Sequence, residues 1–398
     1  MTKNYIMYNC SVNKMLKILD LGMHPFADTF IDKNKLHLSE PCYPLECFMN
    51  SDTGEISLGL KTKAFERYNL YDYSYTSSNS NFSQKHWIDF SKVMDEKFDL
   101  KHKNILEIGS NDGFLLQQFK NSIVTGVDAS ECMVNYSNKN GIKTIMGIFD
   151  LNFSKELNKN FDFIIANNVM NHANDILSFA SGVCNALSKD GTFVFEVPYW
   201  GGMIESLNFD QIYHEHISYF TFKYLDYIFS NCDLNFYDFE FIQYHGKSIR
   251  GYVSKNKNIP NQNVKEQILL EEQKNYFKLD IYNNWQENIL KRRFMFMEKL
   301  NNIKKNYPMA KIVGVGAAAK GNTFLNFCKI DNKLMDFVTD KSDLKQNKFT
   351  PLSRIPIKSD DEIIALRDLY VIILSWNISE IIRPKLEKLN NNIKFLDF

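Results

Sequence analysis

The sequence predicts an α/β protein: a doubly wound, mostly parallel sheet with a small N-terminal domain before it and a second, Rossmann-like domain after it. Three observations carry this. Short apolar runs alternate with helical patterns between about 86 and 200. The first of those runs ends in a glycine turn, Glu107-Ile-Gly-Ser-Asn-Asp-Gly113. A similar run and turn, Lys311-Ile-Val-Gly-Val-Gly316, recurs near the C-terminus.

The elements follow in order. Residues 1–85 are loop-rich, with Pro25, Pro41 and Pro44 and short apolar stretches such as Leu16-Lys-Ile-Leu-Asp-Leu21; they form the small N-terminal domain. Residues 86–258 hold the main sheet, with strands expected at 105–108, 123–127, 144–148, 161–166 and 192–197. Phe114-Leu-Leu-Gln-Gln-Phe119 reads at helical spacing, whereas 201–258 is mixed. After Pro260, residues 263–306 are charged, with apolar positions Ile268, Leu269, Phe277, Leu279, Ile281, Trp285, Ile289 and Leu290. The irregular heptad favours one or two bridging amphipathic helices over a coiled coil. Together with this connector, the last domain spans 259–398: a helix opens at Lys320, and further strands fall at 335–340, 370–375 and 394–398.

Length and composition narrow the function. A chain of 398 residues accommodates two to three domains. Lys+Arg and Asp+Glu both total 47, with no basic stripe, which argues against a nucleic-acid partner. The abundant aromatics (32 Phe, 20 Tyr) suit packed domains with pockets for ring-shaped ligands. No apolar run nears the roughly 20 residues that span a bilayer, and the first residues lack a signal-peptide core. Seven scattered cysteines read as reduced thiols, so a cytoplasmic monomer or homodimer is expected, away from membranes.

The first glycine turn narrows the ligand. Asp128 lies 19 residues after Gly109, where nucleotide folds place the acid that binds ribose hydroxyls. A pyrophosphate would need glycine at the second and third fingerprint positions, which are Asn111 and Phe114 here. Glu107 and Asp112 flank the turn; they would repel a pyrophosphate but suit an ammonium and a sulfonium. S-adenosylmethionine carries both. The expected cofactor contacts are Glu107, Gly109, Asn111, Asp112 and Asp128, with Asn168 at the end of the fourth strand.

Asn208-Phe-Asp-Gln-Ile-Tyr-His-Glu-His-Ile-Ser-Tyr-Phe220 is the densest polar cluster. Histidine is the default proton acceptor near neutrality, and in an extended segment His214 and His216 would face opposite ways. Metal ligation competes, although no third ligand has a clear spacing, and so does a polar surface loop. His172, in Asn168-Val-Met-Asn-His172, follows a strand end, where α/β folds bind ligands. The run Tyr68, Tyr71, Tyr73 and Tyr75 by itself reads as aromatic packing.

These motifs, with Phe195-Glu-Val-Pro-Tyr199, Gly314-Val-Gly-Ala-Ala-Ala-Lys-Gly321, Lys345-Gln-Asn-Lys-Phe-Thr-Pro351 and Ser375-Trp-Asn377, occur in this order in nucleotide-sugar C-methyltransferases. The chain resembles that family along nearly its whole length, including the C-3 methyltransferases of branched deoxysugar biosynthesis such as the tetronitrose pathway enzyme. The resemblance implies a class I methyltransferase core and a C-terminal Rossmann-like domain without a catalytic cofactor. It implies His216 as the base that makes an enolate, with Glu215 to orient or tune it. Tyr213, His172 and one tyrosine of the Tyr73 and Tyr75 pair would hold the enolate and the sugar hydroxyls. Substrate contacts are expected at Tyr73, Tyr199, Gln211, Lys320, Lys345 and Asn347. The implied substrate is a nucleotide-linked ketosugar of surface-glycan or branched-sugar biosynthesis, with C-3 of a 4-keto sugar favoured over C-5.

The front departs from the family, which usually carries two Cys-x-x-Cys pairs for zinc. Here they read Met7-x-x-Cys10 and Cys47-x-x-Asn50. Two thiolates cannot close a tetrahedral site, and Cys42 could join only by rearrangement, so no zinc is expected. Two alternatives remain. One is a small-molecule O-methyltransferase, with His216 deprotonating a hydroxyl. The other is a sugar oxidoreductase using the Gly314 turn, whose glycine pattern is incomplete and which shows no clear ribose acid about 20 residues on.

Overall fold

The computed structural model describes residues 15–63, 67, 76, 78, 80–244 and 246–398. The expectations for Met7, Cys10, Tyr68, Tyr71, Tyr73 and Tyr75 lie outside them. Four strands open the described chain: β1 (Met15–His24), β2 (Ile31–Asp32), β3 (Tyr43–Asn50) and β4 (Ile56–Leu58). Helix α1 (Asn81–Phe98) leads into the core, its first turn capped by the Ser80 side chain.

The core alternates β5 (Asn104–Ile108), β6 (Ile123–Asp128), α2 (Glu131–Lys139), β7 (Thr144–Met146), α3 (Leu151–Glu156), β8 (Phe161–Asn167), α4 (Ile176–Ala186) and β9 (Leu187–Pro198). Next come α5 (Trp200–Glu205), β10 (Ser218–Tyr219), α6 (Phe222–Asn231), β11 (Asn235–Ile242) and β12 (Ser248–Ser254). The sheet order is β11-β12-β9-β8-β5-β6-β7. β7, β6, β5, β8 and β9 run parallel, and β12 inserts antiparallel between β9 and β11. This is the class I methyltransferase core. The order reverses between β5 and β8, so their carboxyl ends open a crevice.

Two long amphipathic helices, α7 (Gln262–Gln273) and α8 (Leu279–Asn306), cross to the last domain. There β13 (Lys311–Val315), α9 (Ala319–Cys328), β14 (Phe337–Thr339), β15 (Lys348–Phe349), β16 (Ile357–Lys358), β17 (Leu369–Ile373), α10 (Ser379–Leu389) and β18 (Ile393–Phe395) follow. Five of these strands form a parallel sheet in the order β16-β14-β13-β17-β18, a second Rossmann-like unit.

Strands exchanged between domains hold the assembly together. β10, two residues beyond His216, completes the N-terminal sheet β1-β3-β4-β10, and β15 pairs with β2. One hydrophobic cluster runs from Ile18 and Leu19 through Trp200 and Trp285 to Phe327. The segment 208–220 is thereby clamped by all three domains. Among the described residues no helix is long and apolar enough to cross a membrane.

Several details differ from expectation. The helix at 114–119 is a single 3₁₀ turn, Leu116–Gln118. Six residues after a turn with positive φ at Asn111 and Gly113 are too few to propagate an α-helix. At the front, Cys47 is fully buried in β3, where burial raises its thiol pKa and favours the neutral form. Asn50 Oδ1 accepts from the amides of Asp52 (2.9 Å) and Thr53 (3.3 Å), closing the β3–β4 turn. No group of three or more metal-ligating side chains occurs among the described residues.

Candidate active site

A cavity of about 1040 Å³ runs between the core and the C-terminal domain, from the Glu107 turn past His216 to the Gly316 turn. Its core end is built on β5, β6 and β8. Gly109 has φ +70°, and a Cβ there would sit 2.3 Å from Val169 Cγ2, so only glycine lets these loops meet. Asp128 ends β6, accepting from Asn111 N through Oδ2 and from Ser130 N through Oδ1, both at 2.8 Å. These amides fix its carboxylate at the cavity wall, while burial raises its pKa.

Glu107 Oε2, Asn168 Oδ1 and both polar atoms of Asn167 are buried without a hydrogen-bond partner among the described residues. Burial, then Asp112 and Asp128, push Glu107 well above the carboxylate range. Such a group waits for a cation or a donor. Asn168 reaches this position through a positive φ of 56°, and its backbone N–H donates to Glu196 O at 2.7 Å.

The wall over this end is the start of α1, with Ser80, Phe82, Ser83 and Trp87. Tyr244 stacks on His86 (4.0 Å) and Phe82 (5.6 Å). His86 Nε2 lies 2.8 Å from Glu196 Oε2, and Arg250 donates to Glu196 Oε1 through Nε (2.8 Å) and Nη2 (2.6 Å). Burial would raise Glu196, but His86 and Arg250 together hold it below the usual range. The result is a paired, buried acid that ties α1 to β9 and β12.

At the centre, His216 Nδ1 lies 2.9 Å from Gln211 O, a carbonyl that can only accept. Nδ1 therefore carries the proton, and Nε2 offers its lone pair to the Tyr213 hydroxyl at 2.7 Å. Both side chains line the cavity. The His172 ring stands edge-on to His216, centroids 4.9 Å apart. Burial, aided by the Arg67 charge, lowers His172 to about 3, keeping it neutral. Arg67 donates to His172 O (2.9 Å) and Asn174 Oδ1 (2.6 Å), locking the loop after β8.

Glu215 Oε1 accepts from the amides of Ala27 (3.1 Å) and Asp28 (3.2 Å), so the N-terminal domain grips the residue beside His216. Burial, and then Asp28, raise Glu215 to about 7. His214 faces the other way. It packs edge-on to Tyr43 (5.7 Å) and Phe26 (6.0 Å), with Nε2 3.2 Å from Pro44 O.

The far end is lined by Gly316, Lys320, Lys345, Asn377 and Lys385. Lys320 donates to Asn377 Oδ1 (2.7 Å), and burial lowers it to about 8 despite Asp210. Lys345 donates to Ala317 O at 2.8 Å.

Of the expected site residues, Glu107, Gly109, Asn111, Asp128, Asn168, His172, Gln211, Tyr213, Glu215, His216, Lys320 and Lys345 meet at this one cavity. Among the described residues, three do not line it. Asp112 instead accepts from Ser78 N (3.0 Å) and Oγ (2.6 Å), anchoring the approach to α1. Tyr199 is a core residue, packed on Phe222 and Phe241 because β9 turns into α5 there. Asn347, at φ 64°, is a turn residue before β15.

Sequence reasoning missed Arg67, Asn167 and the Glu196 network. It also passed over Asp340, which directly follows β14, 24 residues after Gly316, and lines the cavity.

Comparison with known proteins agrees with this geometry. Residues 52–237 match the methyltransferase domain family, and residues 243–396 match the C-methyltransferase C-terminal domain family. The C-methyltransferase NovU of Streptomyces niveus is 25% identical over 397 residues, covering 97% of this chain and 93% of NovU. This chain is an S-adenosylmethionine-dependent C-methyltransferase. A methyltransferase structure from Clostridium acetobutylicum superposes with a TM-score of 0.36 at 16% identity, covering 44% of this chain and 93% of that one. The magnesium protoporphyrin IX methyltransferase of Synechocystis, with S-adenosylhomocysteine bound, gives 0.36 at 12% identity, covering 44% and 83%.

S-adenosylmethionine fits the core end of this C-methyltransferase's cavity. The orphaned Glu107 and Asn167 atoms could offer acceptors and a donor to an amino-acid tail, and the Asp128 carboxylate could offer acceptors to ribose hydroxyls.

Proposed function

We propose that this C-methyltransferase acts on a nucleotide-linked ketosugar, methylating the carbon beside the ketone, C-3 of a 4-keto sugar. The observation that carries the reading is the His216 pair. One ring nitrogen is fixed to a carbonyl and the other is aimed, with Tyr213, into the cavity that also holds the cofactor crevice.

A sugar C–H is not nucleophilic, but a neighbouring ketone lets its proton leave because the charge spreads onto oxygen. His216 Nε2 takes that proton, its Nδ1–H held by Gln211 O so that the lone pair stays directed. Tyr213 shifts its hydroxyl from Nε2 to the ketone oxygen as charge develops there, and the neutral His172 stands beside it. Glu215, gripped by two amides, fixes the backbone that carries His216. S-adenosylmethionine, when bound, supplies an electrophilic methyl group within reach of the carbanion. Lys320, Lys345 and the start of α9 favour the diphosphate at the far end.

Mass spectrometry of the protein with S-adenosylmethionine and a panel of nucleotide 4-ketosugars tests this. The expected product gains one methyl, and its NMR spectrum places the group on carbon. A methyl on oxygen, or no product from any ketosugar, would overturn the reading.

A further inference from the structure

The carbonyl that orients His216 belongs to no helix or strand. His216 Nδ1 lies 2.9 Å from Gln211 O, and Gln211 sits in a run of turns closed by Ile212 N to Phe209 O and His216 N to Tyr213 O, both at 2.9 Å. Neither of these turn bonds uses Gln211 O. Its position therefore depends on what holds the residues beside it.

The C-terminal domain holds them. The Phe209 ring packs on Phe327 (centroids 4.5 Å apart) and on Phe398 (5.8 Å). Trp376, just before α10, donates through Nε1 to Asp210 Oδ2. Ile212 O accepts from Thr323 Oγ1 on α9 at 3.2 Å. Asp210, Thr323, Phe327 and Trp376 do not line the cavity, so any effect they have on the chemistry passes through the segment they hold.

The Asp210–Trp376 bond is the strongest of these grips by its chemistry. Asp210 is buried, and burial raises it to about 6 although Lys320 and the indole favour its charged form; near neutral pH it still accepts as an anion. The indole can only donate, and Nε1–H is its one donor. Gly246 leaves room for the ring, since a Cβ there would lie 3.0 Å from Trp376 Cη2, and Lys320 Nζ stands 5.3 Å over its face.

We propose that Trp376 and Asp210 are positioning residues for the base: their bond fixes the Gln211 carbonyl, and through it the ring tautomer that leaves His216 Nε2 free to take the substrate proton. This deepens, and rests on, the reading of His216 as the base. With Gln211 O displaced, the ring proton can sit on Nε2, and a nitrogen so protonated accepts nothing. The C-terminal domain thus sets the competence of a histidine carried by the core.

Two measurements on the full chain with S-adenosylhomocysteine present test it. Nitrogen NMR of the histidine rings, with His216 assigned by the signal lost in His216→Asn, reads the tautomer without substrate. Deuterium exchange at the carbon beside the ketone of a nucleotide 4-ketosugar reads the base. Wild-type His216 should show Nδ1 protonated and Nε2 bare. Trp376→Phe keeps an aromatic ring and removes the donor; it should show mixed tautomers and exchange about tenfold slower, the worth of one hydrogen bond. Its affinities for S-adenosylhomocysteine and the ketosugar should stay at wild-type values. Asp210→Asn keeps an acceptor for the indole and should stay close to wild type in both readings. Asp210→Ser, whose oxygen falls out of reach, should behave as Trp376→Phe does, and replaces it if that variant does not fold. A wild-type tautomer and rate in Trp376→Phe and Asp210→Ser overturn the positioning role and leave His216 as the base. Slower exchange with the tautomer unchanged overturns it too, as does Asp210→Asn failing as badly as Asp210→Ser. If wild type exchanges nothing, or exchange survives in His216→Asn, the reading of His216 as the base falls, and the positioning role with it.

Discussion

Glu215→Gln should make the protein more stable at alkaline pH, by an amount that depends on pH in a defined way. Burial raises the Glu215 pKa from 4.5 to about 7, so between these values the folded chain keeps a proton that the unfolded chain has released. Stability from this group therefore falls as pH rises through that window. At about 1.4 kcal/mol per pH unit, two and a half units amount to about 3 kcal/mol. Glutamine keeps an acceptor for the Ala27 and Asp28 amides and cannot ionise. Its stability relative to wild type should thus be nearly constant below pH 4.5 and climb by about 3 kcal/mol by pH 8. Denaturant titrations of both proteins at pH 4.5, 6 and 8 would show the gap opening. A gap that stays constant across that range would mean that Glu215 is not held protonated, and the burial argument for this residue would fail.

Other perturbations have separate readouts. Asp128→Ala removes the expected ribose acceptors and should weaken S-adenosylhomocysteine binding in calorimetry by about 1.5–3 kcal/mol; unchanged affinity would remove Asp128 from the site. Glu196→Ala leaves Arg250 and His86 facing a buried gap, so denaturation should show a loss of about 3–5 kcal/mol. A strong chelator should leave the melting temperature unchanged and elemental analysis should find well under one zinc per chain, since Cys47 packs as a neutral core residue.

The core was legible because each of its parallel strands is a short apolar run and its first turn must be glycine. The N-terminal sheet was not. Register shifts between Lys17 and Leu19 and between Asp20 and Met23 break the alternation of β1, and the fourth strand comes from residues far along the chain. At the site, residues fixed by local chemistry were readable: an acid ending β6, and histidines in a polar cluster. Residues placed by tertiary contact were not. Arg67 reaches His172 across 105 positions, which no local pattern announces. Tyr199 sits at a strand end, as ligand-binding residues do, but the turn into α5 directs it to the core. Asp340 ends the segment 335–340, already expected as a strand, yet falls a few residues beyond the spacing at which such acids are sought.

Deuterium exchange at the carbon beside the ketone of a nucleotide 4-ketosugar, followed by NMR with S-adenosylhomocysteine in place of the methyl donor, isolates proton abstraction from methyl transfer. Wild type should exchange that proton for deuterium. His216→Asn should bind both ligands nearly as well and exchange slower by roughly 10²–10⁴-fold, the worth of a positioned general base. His214→Asn, whose ring faces the N-terminal sheet, should exchange at close to the wild-type rate. Exchange that persists in His216→Asn but disappears in Tyr213→Phe or His172→Asn would contradict the assignment of His216 as the base.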